Sequence, residues 1–212
     1  MALVADRAGD QRTTAIANEI AEQERLMGER LVGCYDEAVE DSLSDSHLGD
    51  LGDLSALVSY LADVHAIEQQ AIALLERAST TAGDPLFTEV YERHLEQSRE
   101  HAATIKRRLA AHDARPSTLK DSAMRLGGLN WSAFFRVHPD APGKLAVFTY
   151  AFEHLEIASY ELLSRVAGRA GDDHTRDACE QILMEERAAA DAIAGTFERA
   201  ADASLAETTA RR

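Results

Sequence analysis

The sequence is poor in the residues that favour sheets and irregular loops. Only 6% of its 212 residues are aromatic and only 4 are proline, whereas alanine, glutamate, leucine and arginine dominate. Aromatic residues are enriched in strands, and the abundant types here favour helices. The composition therefore predicts an all-α protein, and the length allows one sizeable core.

Positive charge is also scarce. The chain has 37 acidic and 22 basic residues, which gives a formal net charge of −15. An acidic surface is repelled by nucleic-acid phosphates and by anionic lipid headgroups. We therefore expect neither nucleic acid nor a membrane among its partners.

Long apolar runs are missing. No stretch approaches the ~20 apolar residues of a spanning helix, and the first residues carry charges where a secretory signal is apolar. Two cysteines, Cys34 and Cys179, lie far apart and lack the spacing of a metal or redox motif. Both lie on predicted apolar helix faces, so we expect buried thiols in a reducing, cytoplasmic setting.

What the sequence does contain is an internal repeat with an offset of 88 residues. Residues 57–105 align without a gap on residues 145–193, with the Ala-Gly-Asp turn at 82–84 in register with that at 170–172. Each copy is predicted to form a helix, a short turn and a second helix. Two hairpins that cannot bury their apolar faces alone pair as a four-helix bundle, which is the predicted fold.

Two segments outside the repeat complete the predicted organisation. An amphipathic helix over about 12–40 precedes the bundle, and we expect its apolar face to pack on the bundle or on a second subunit. A long crossover with the breakers Gly127–Gly128 and the stretch from Val137 to Gly143 joins the two hairpins. The predicted parts are an N-terminal helix and loop (1–53), the bundle (54–203) and a tail (204–212), with core helices at about 54–78, 86–112, 144–167 and 174–203.

Each predicted core helix carries a carboxylate or an imidazole among its apolar residues. Burying an isolated carboxylate costs several kcal/mol or more, so such a group must be paired, protonated or bound to a metal. In di-metal carboxylate bundles two helices each give a Glu, and the other two each give Glu-x-x-His. Glu68 and Glu156 are equivalent in the repeat and fit the two single-Glu helices.

The two Glu-x-x-His helices are incomplete. The second helix has His101 but carries Ser98 at the Glu position, and the fourth has Glu186 but carries Ala189 at the His position. A second ion would therefore have carboxylates but no imidazole. We expect one divalent ion such as Fe, Mn or Zn, or a polar core without metal, rather than a two-metal centre.

The candidate ligands have alternatives. Glu68 and Glu156 could form interhelical pairs with His101 or an Arg, and His101 could be a satisfied core histidine. Glu153 lies nearby in sequence as a further candidate ligand, whereas His65 and His94 are expected to be structural. The repeat register favours Glu186 over Glu185, and Tyr160 could hydrogen-bond a ligand carboxylate.

From Leu54 to about Phe197 the chain resembles the YciE/YciF-type ferritin-like stress proteins. The motifs that carry the resemblance are Asp63-x-x-x-x-Glu68, the segment from His94 to His101, the segment Glu153-His154-Leu155-Glu156-Ile157-Ala158-Ser159-Tyr160 and Leu183-Met184-Glu185-Glu186. The resemblance implies a ferritin-like bundle, often a homodimer, in cytoplasmic proteins of the stress response. It supplies no established reaction.

Two functions remain open at this point. The first is a metal-binding ferritin-like protein that acts on peroxide or O₂. The second is a non-catalytic stress protein that works through dimerisation or partner binding. Ser98 and Ala189 favour the second function, whereas Glu68, Glu156 and His101 favour the first. No catalytic residue stands out, and whether the protein is an enzyme is left undecided.

Overall fold

A computed structural model of the protein describes residues 1–44, 50–81, 84–117 and 141–210. These ranges contain helices and turns but no strand, which confirms the predicted all-α class. No helix within them combines the length and the apolar character needed to cross a bilayer. The helices are α1 (Ala2–Arg7), α2 (Gln11–Gly33), α3 (Tyr35–Ser44), α4 (Asp50–Thr81), α5 (Pro85–Ala111), α6 (Ala141–Arg169), α7 (Asp173–Ala194) and α8 (Phe197–Ala210).

Helices α4 to α7 form the four-helix bundle. Helix α4 packs on α5 and α6 packs on α7, and contacts of α4 with α6 and of α5 with α7 join the two hairpins. The repeat is visible in the boundaries around the turns. Helices α4 and α6 end at Thr81 and Arg169, and α5 and α7 begin at Pro85 and Asp173, so both pairs follow the offset of 88 residues.

The core of the bundle has three layers along its axis. One apolar cluster includes Leu61, Ile105 and Leu163, and a second at the other end includes Leu75 and Tyr91. On each of the four helices, buried polar residues lie between the segments that supply these two clusters. The apolar layers therefore enclose a polar layer at mid-height.

The turn of the second hairpin is fixed by Gly171 and Asp172. Gly171 has φ +68°, a left-handed conformation that glycine adopts without a Cβ clash. Asp172 then caps α7 by accepting a hydrogen bond from the backbone N–H of Thr175, and it also accepts from the Arg108 guanidinium. Burial opposes ionisation of this carboxyl, but hydrogen bonds from Thr175, His112 and Arg108 lower its pKa well below the ordinary value.

The N-terminal segment differs from the single predicted helix over 12–40. It is divided at Cys34, whose backbone N–H bonds to the carbonyl of Leu31 in a tighter turn. Cys34 is exposed, so the expected burial of both thiols is wrong for this one, whereas Cys179 is buried. Cys34 directly follows α2, a helix in which no residue is buried, and this accounts for its exposure. Within the described residues, α2 packs mainly on α1 and α3 rather than on the bundle.

The fourth core helix is shorter than predicted. It ends at Ala194, where the Thr196 hydroxyl bonds to the Ile193 carbonyl in place of the helical ladder. The chain then turns into α8, which packs back on α6 and continues to Ala210, past the predicted end at residue 203. A Cβ on Gly143 would lie 2.8 Å from the Ser204 hydroxyl, so glycine permits this close approach.

The crossover lies largely outside the described residues, because 118–140 fall there, including the predicted breaker Gly127–Gly128. The described end of the other predicted breaker, Ala141 to Gly143, falls in the first turn of α6 instead. Proline is tolerated there, because a first-turn residue has no intrahelical partner for its N–H.

We expect the Asp172→Ala variant to lose about 2–3 kcal/mol of unfolding free energy, because a helix cap and charge-assisted hydrogen bonds are lost together. Asp84 is the repeat equivalent and caps α5 through the Leu86 N–H, but its ion pair with Arg199 is largely exposed. Asp84→Ala is therefore the matched control, with an expected loss of about 1 kcal/mol. Urea denaturation of both variants measures the difference, and equal losses would contradict this account of the second turn.

Candidate metal centre

The polar layer contains six residues with a carboxylate or an imidazole, and all four bundle helices contribute to it. Each of the six residues is at most 3% exposed. The members are Glu68 on α4, His94 and His101 on α5, Glu153 and Glu156 on α6, and Glu186 on α7.

The first group in this layer consists of Glu68, His101 and Glu186, whose potential ligand atoms lie within 4.8 Å of one another. The Nδ1 atom of His101 is 2.8 Å from Oε1 of Glu186 and 3.6 Å from Oε1 of Glu68. One imidazole and two carboxylates from three helices therefore converge on a small volume.

The second group consists of His94, Glu153, Glu156 and Glu186, again within 4.8 Å of one another. The Nε2 atom of His94 is 2.6 Å from Oε2 of Glu153 and 3.5 Å from Oε2 of Glu186. Glu186 belongs to both groups, and its two oxygens face different imidazoles. Its carboxylate therefore lies between the two groups, where it could serve as a ligand in both.

The inner atoms of this layer satisfy one another only in part. Eight buried side-chain atoms in the described part of the chain make no hydrogen bond of good geometry, and all eight belong to these six residues. Four of the eight form the close contacts of His101 with Glu186 and of His94 with Glu153, whereas Oε2 of Glu68 and both oxygens of Glu156 have no close partner. Buried polar groups are normally hydrogen-bonded, so these atoms point to something other than a closed protein network.

Each imidazole is held from its outer side. Nε2 of His101 lies 3.0 Å from a carboxylate oxygen of Glu185, and Nδ1 of His94 lies 3.4 Å from the side-chain oxygen of Gln97. When these outer nitrogens donate a hydrogen bond, the neutral ring has its lone pair on the inner nitrogen. Such outer acceptors orient the histidine ligands of metal sites.

Tyr160 adds a contact that the sequence had suggested. Its buried hydroxyl donates a hydrogen bond of 2.5 Å to Oε1 of Glu68, and its ring lies edge-on to His101. Burial, followed by the charge of Glu68, raises the pKa of Tyr160 well above its ordinary value, so the hydroxyl stays protonated and remains a donor. The remaining oxygen of Glu68 is left free of hydrogen bonds.

Burial, together with the charges of neighbouring carboxylates, raises the pKa of Glu68, Glu153 and Glu156. Burial and the charges of Glu186, Glu68 and Glu153 raise the pKa of Glu156 well above its ordinary value. Burial raises the pKa of Glu153 to about 7, even though His94 opposes the shift. The centre therefore holds acidic protons that a metal ion could replace.

Both imidazoles also bind a proton tightly. Burial opposes protonation, but hydrogen bonds and charges from the neighbouring carboxylates outweigh it. They raise the pKa of His94 to about 9 and that of His101 to about 10. Glu185 is more exposed, and its hydrogen bond to His101 lowers its pKa.

The structure brings together every residue proposed as a ligand from the sequence, namely Glu68, His101, Glu153, Glu156 and Glu186. It also favours Glu186 over Glu185, because Glu186 is fully buried between the groups and Glu185 lies outside them. That these residues bind metal remains a prediction.

The expectation that the second half of the site lacks an imidazole is wrong, because His94 lies in the second group. The structural role expected of His94 is compatible with its contact with Glu153 and stays a prediction. Ser98 and Ala189 do lack ligand atoms, but His94 and Glu153 supply an imidazole and a carboxylate from neighbouring turns instead. His65, the repeat equivalent of Glu153, is buried but belongs to neither group.

A sequence signal for His94 existed. It precedes His101 by seven residues, which is about two helical turns, so both rings lie on one face of α5. Gln97 and Glu185, the outer partners of the two rings, carried no comparable signal, because which acceptor reaches a ring nitrogen depends on side-chain placement.

Known proteins share this fold. A solved protein of Xanthomonas campestris pv. campestris str. ATCC 33913 superposes with a TM-score of 0.61 and 25% sequence identity, over 74% of this chain and 98% of that one. Residues 54–206 match the family described as a domain of unknown function, DUF892. This match covers the bundle and most of α8, and the chain belongs to the DUF892 family.

Proposed function

We propose that this protein binds divalent metal ions in its polar layer, in two adjacent sites that share Glu186. The first site consists of Glu68, His101 and Glu186, and the second of His94, Glu153, Glu156 and Glu186. The single observation that carries the proposal is the set of buried carboxylate oxygens without a hydrogen-bond partner, Oε2 of Glu68 and both oxygens of Glu156. A core designed to remain free of metal would pair such atoms, because leaving each one unsatisfied is costly.

Charge supports the same proposal. Four buried carboxylates face two imidazoles, so full ionisation leaves negative charge even when both rings are protonated. Divalent cations would balance this excess and use the free oxygens as ligands. Mixed carboxylate and imidazole ligands suit iron, manganese or zinc.

The finer assignment to ferritin-like, YciE/YciF-type stress proteins is part of this proposal. It is supported by the third-helix motif from Glu153 to Tyr160, which supplies two candidate ligands and the tyrosine on Glu68. A pair of redox-active ions would supply electrons for the reduction of O₂ or peroxide. The residues described here would bind the ions, orient the imidazoles and keep the Tyr160 proton on Glu68.

Elemental analysis of protein purified without chelators or added metal is the first test. Because the layer contains two groups of ligands, we expect about two divalent ions per chain. Because both groups share Glu186, the Glu186→Gln variant should bind metal more weakly at both sites. One ion per chain would support metal binding but contradict the pair of sites. Absence of metal, together with no binding in calorimetric titrations with Fe²⁺, Mn²⁺ and Zn²⁺, would refute the proposal.

Histidine variants separate the two sites. We expect His94→Gln and His101→Gln each to lose one ion per chain, because each removes the only imidazole of one group. His65→Gln is the matched control, since it replaces a buried imidazole on α4 outside both groups. Circular dichroism verifies that the variants are folded, and equal metal content in all three would contradict the assignment.

The outer partner of His101 gives a third prediction. Removing the acceptor in Glu185→Ala should weaken metal binding by roughly 10–100-fold, because the ring is no longer held in its binding orientation. Glu96→Ala removes an exposed carboxylate that pairs with Arg99 and should leave binding unchanged. Metal titration by calorimetry measures both variants, and equal affinities would show that Glu185 does not position the ring.

The raised pKa values predict an unusual pH dependence for the metal-free protein. The folded state keeps protons on Glu153, Glu156, His94 and His101 that the unfolded state releases at lower pH. Since the folded state binds more protons, the free energy of unfolding falls as pH rises from about 5 to 10. We expect the melting temperature in chelator to drop by roughly 5 °C or more between pH 6 and 9.

Metal should reverse this trend, because ligand binding requires these groups to lose their protons and affinity therefore rises with pH. Thermal melting with and without Mn²⁺ tests both signs. In chelator, Glu156→Gln should flatten the pH dependence, since an amide does not titrate. A melting temperature that rises with pH in chelator would contradict the description of the polar layer.

A further inference from the structure

Helix α2 has an apolar face that nothing in the described part of the chain covers. Ile16 is 48% exposed, Ile20 51%, Met27 55% and Leu31 57%. At 3.6 residues per turn these four side chains project within a sector of about 60° and form one continuous stripe. We refer to these four residues as the α2 stripe.

The opposite face of α2 is polar and exposed to solvent. Arg25 forms ion pairs with Glu22 and Glu29, which lie one turn before and after it on the side away from the α2 stripe. Helix α2 contains no buried residue, and it lies before residue 54, where the DUF892 match begins. The helix therefore lies outside the part of the chain that matches the family, with one solvated face and one unpartnered apolar face.

The spacing of the α2 stripe is symmetric about its own midpoint. Ile16 and Leu31 lie equally far from the point between Gln23 and Glu24, and so do Ile20 and Met27. In a two-fold symmetric contact, if residue i of the first copy contacts residue j of the second, then residue j of the first copy contacts residue i of the second. The symmetric spacing satisfies this condition. An antiparallel pair of α2 helices would place Ile16 against Leu31 and Ile20 against Met27.

We propose that the α2 stripe is the contact surface for a second copy of this chain, paired antiparallel through α2. The contact extends over about 22 Å of helix and buries all eight apolar side chains of the two stripes. The inference does not depend on metal binding in the bundle.

Charges beside the α2 stripe select the antiparallel arrangement. Glu19 and Arg30 are exposed on the same flank, and antiparallel pairing brings Glu19 of one copy near Arg30 of the other, twice per pair. Glu24 lies on the other flank and meets its own copy once, at the symmetry axis, so opposite-charge contacts outnumber like-charge contacts by two to one. Parallel pairing would instead place Glu19 opposite Glu24 of the second helix. Opposite charges at such flanking positions favour a pairing and like charges disfavour it.

Sedimentation velocity of the full chain over roughly 1 to 300 µM tests the association, since a dimer of this kind depends on concentration. We expect the native chain to shift from monomer to dimer and Met27→Lys to raise the dissociation constant roughly tenfold or more, because a charge enters the middle of the contact. Val32→Lys is the matched control. Val32 is 40% exposed on the same helix, but it is rotated by about 140° from Met27 and lies on the solvated face that carries Arg25.

The orientation is tested by disulfide trapping. Antiparallel pairing places Cys34 of one copy opposite Thr13 of the other, whereas the two Cys34 side chains lie about 30 Å apart. Under mild oxidation we expect Thr13→Cys to give a covalent dimer and the native chain to remain uncrosslinked. Cys179 is buried and does not interfere. The double variant Thr13→Cys, Cys34→Ser should also remain uncrosslinked.

Three outcomes would overturn the proposal. A chain that is monomeric at every concentration would mean that the α2 stripe does not bind its own copy. A dimer that Met27→Lys and Val32→Lys affect equally would place the contact elsewhere. Rapid crosslinking of the native chain through Cys34 would show a parallel pair.

Discussion

Charge compensation in the middle of the bundle is the constraint on which the rest of the structure depends. Four carboxylates lie beside two imidazoles in a layer that is at most 3% exposed, and the two imidazoles pair with only some of the carboxylate oxygens. Such a layer is stable only if protons or cations supply positive charge. The apolar clusters above and below hold the helices at the spacing that brings these side chains together, so the core packing fixes the geometry of the polar groups.

The duplication explains both the symmetry of this layer and its departures. Glu68 and Glu156 are repeat equivalents and lie at the centre of each half. The two halves have diverged around them, because both imidazoles come from α5 while α6 contributes a second carboxylate, Glu153. The apolar frame repeats and the ligand set does not. A bundle tolerates this exchange because side chains one or two turns apart on neighbouring helices reach the same volume.

The N-terminal helices and the bundle have separate roles. Helix α1 is tied to α8 by the ion pair of Arg7 with Asp202, and α3 is tied to α6 by that of Arg165 with Asp36. Val39 of α3 also packs into an apolar cluster of the bundle. These flanking contacts anchor α2 at both ends while leaving its whole length exposed. The polar layer therefore lies inside the matched family fold, and the unpartnered face lies outside it.

The sequence by itself determined the helical class, the two hairpins and the register of their turns, because these follow from periodicity and from an ungapped repeat. It also identified Glu68, His101, Glu156 and Glu186 as neighbours, since repeat position and helical face are local properties. Only the tertiary structure decided that His94 lies with Glu153, that Glu185 and Gln97 hold the rings, and that Cys34 is exposed. These outcomes depend on the rotation and spacing of different helices, and a pattern along one chain does not encode those distances.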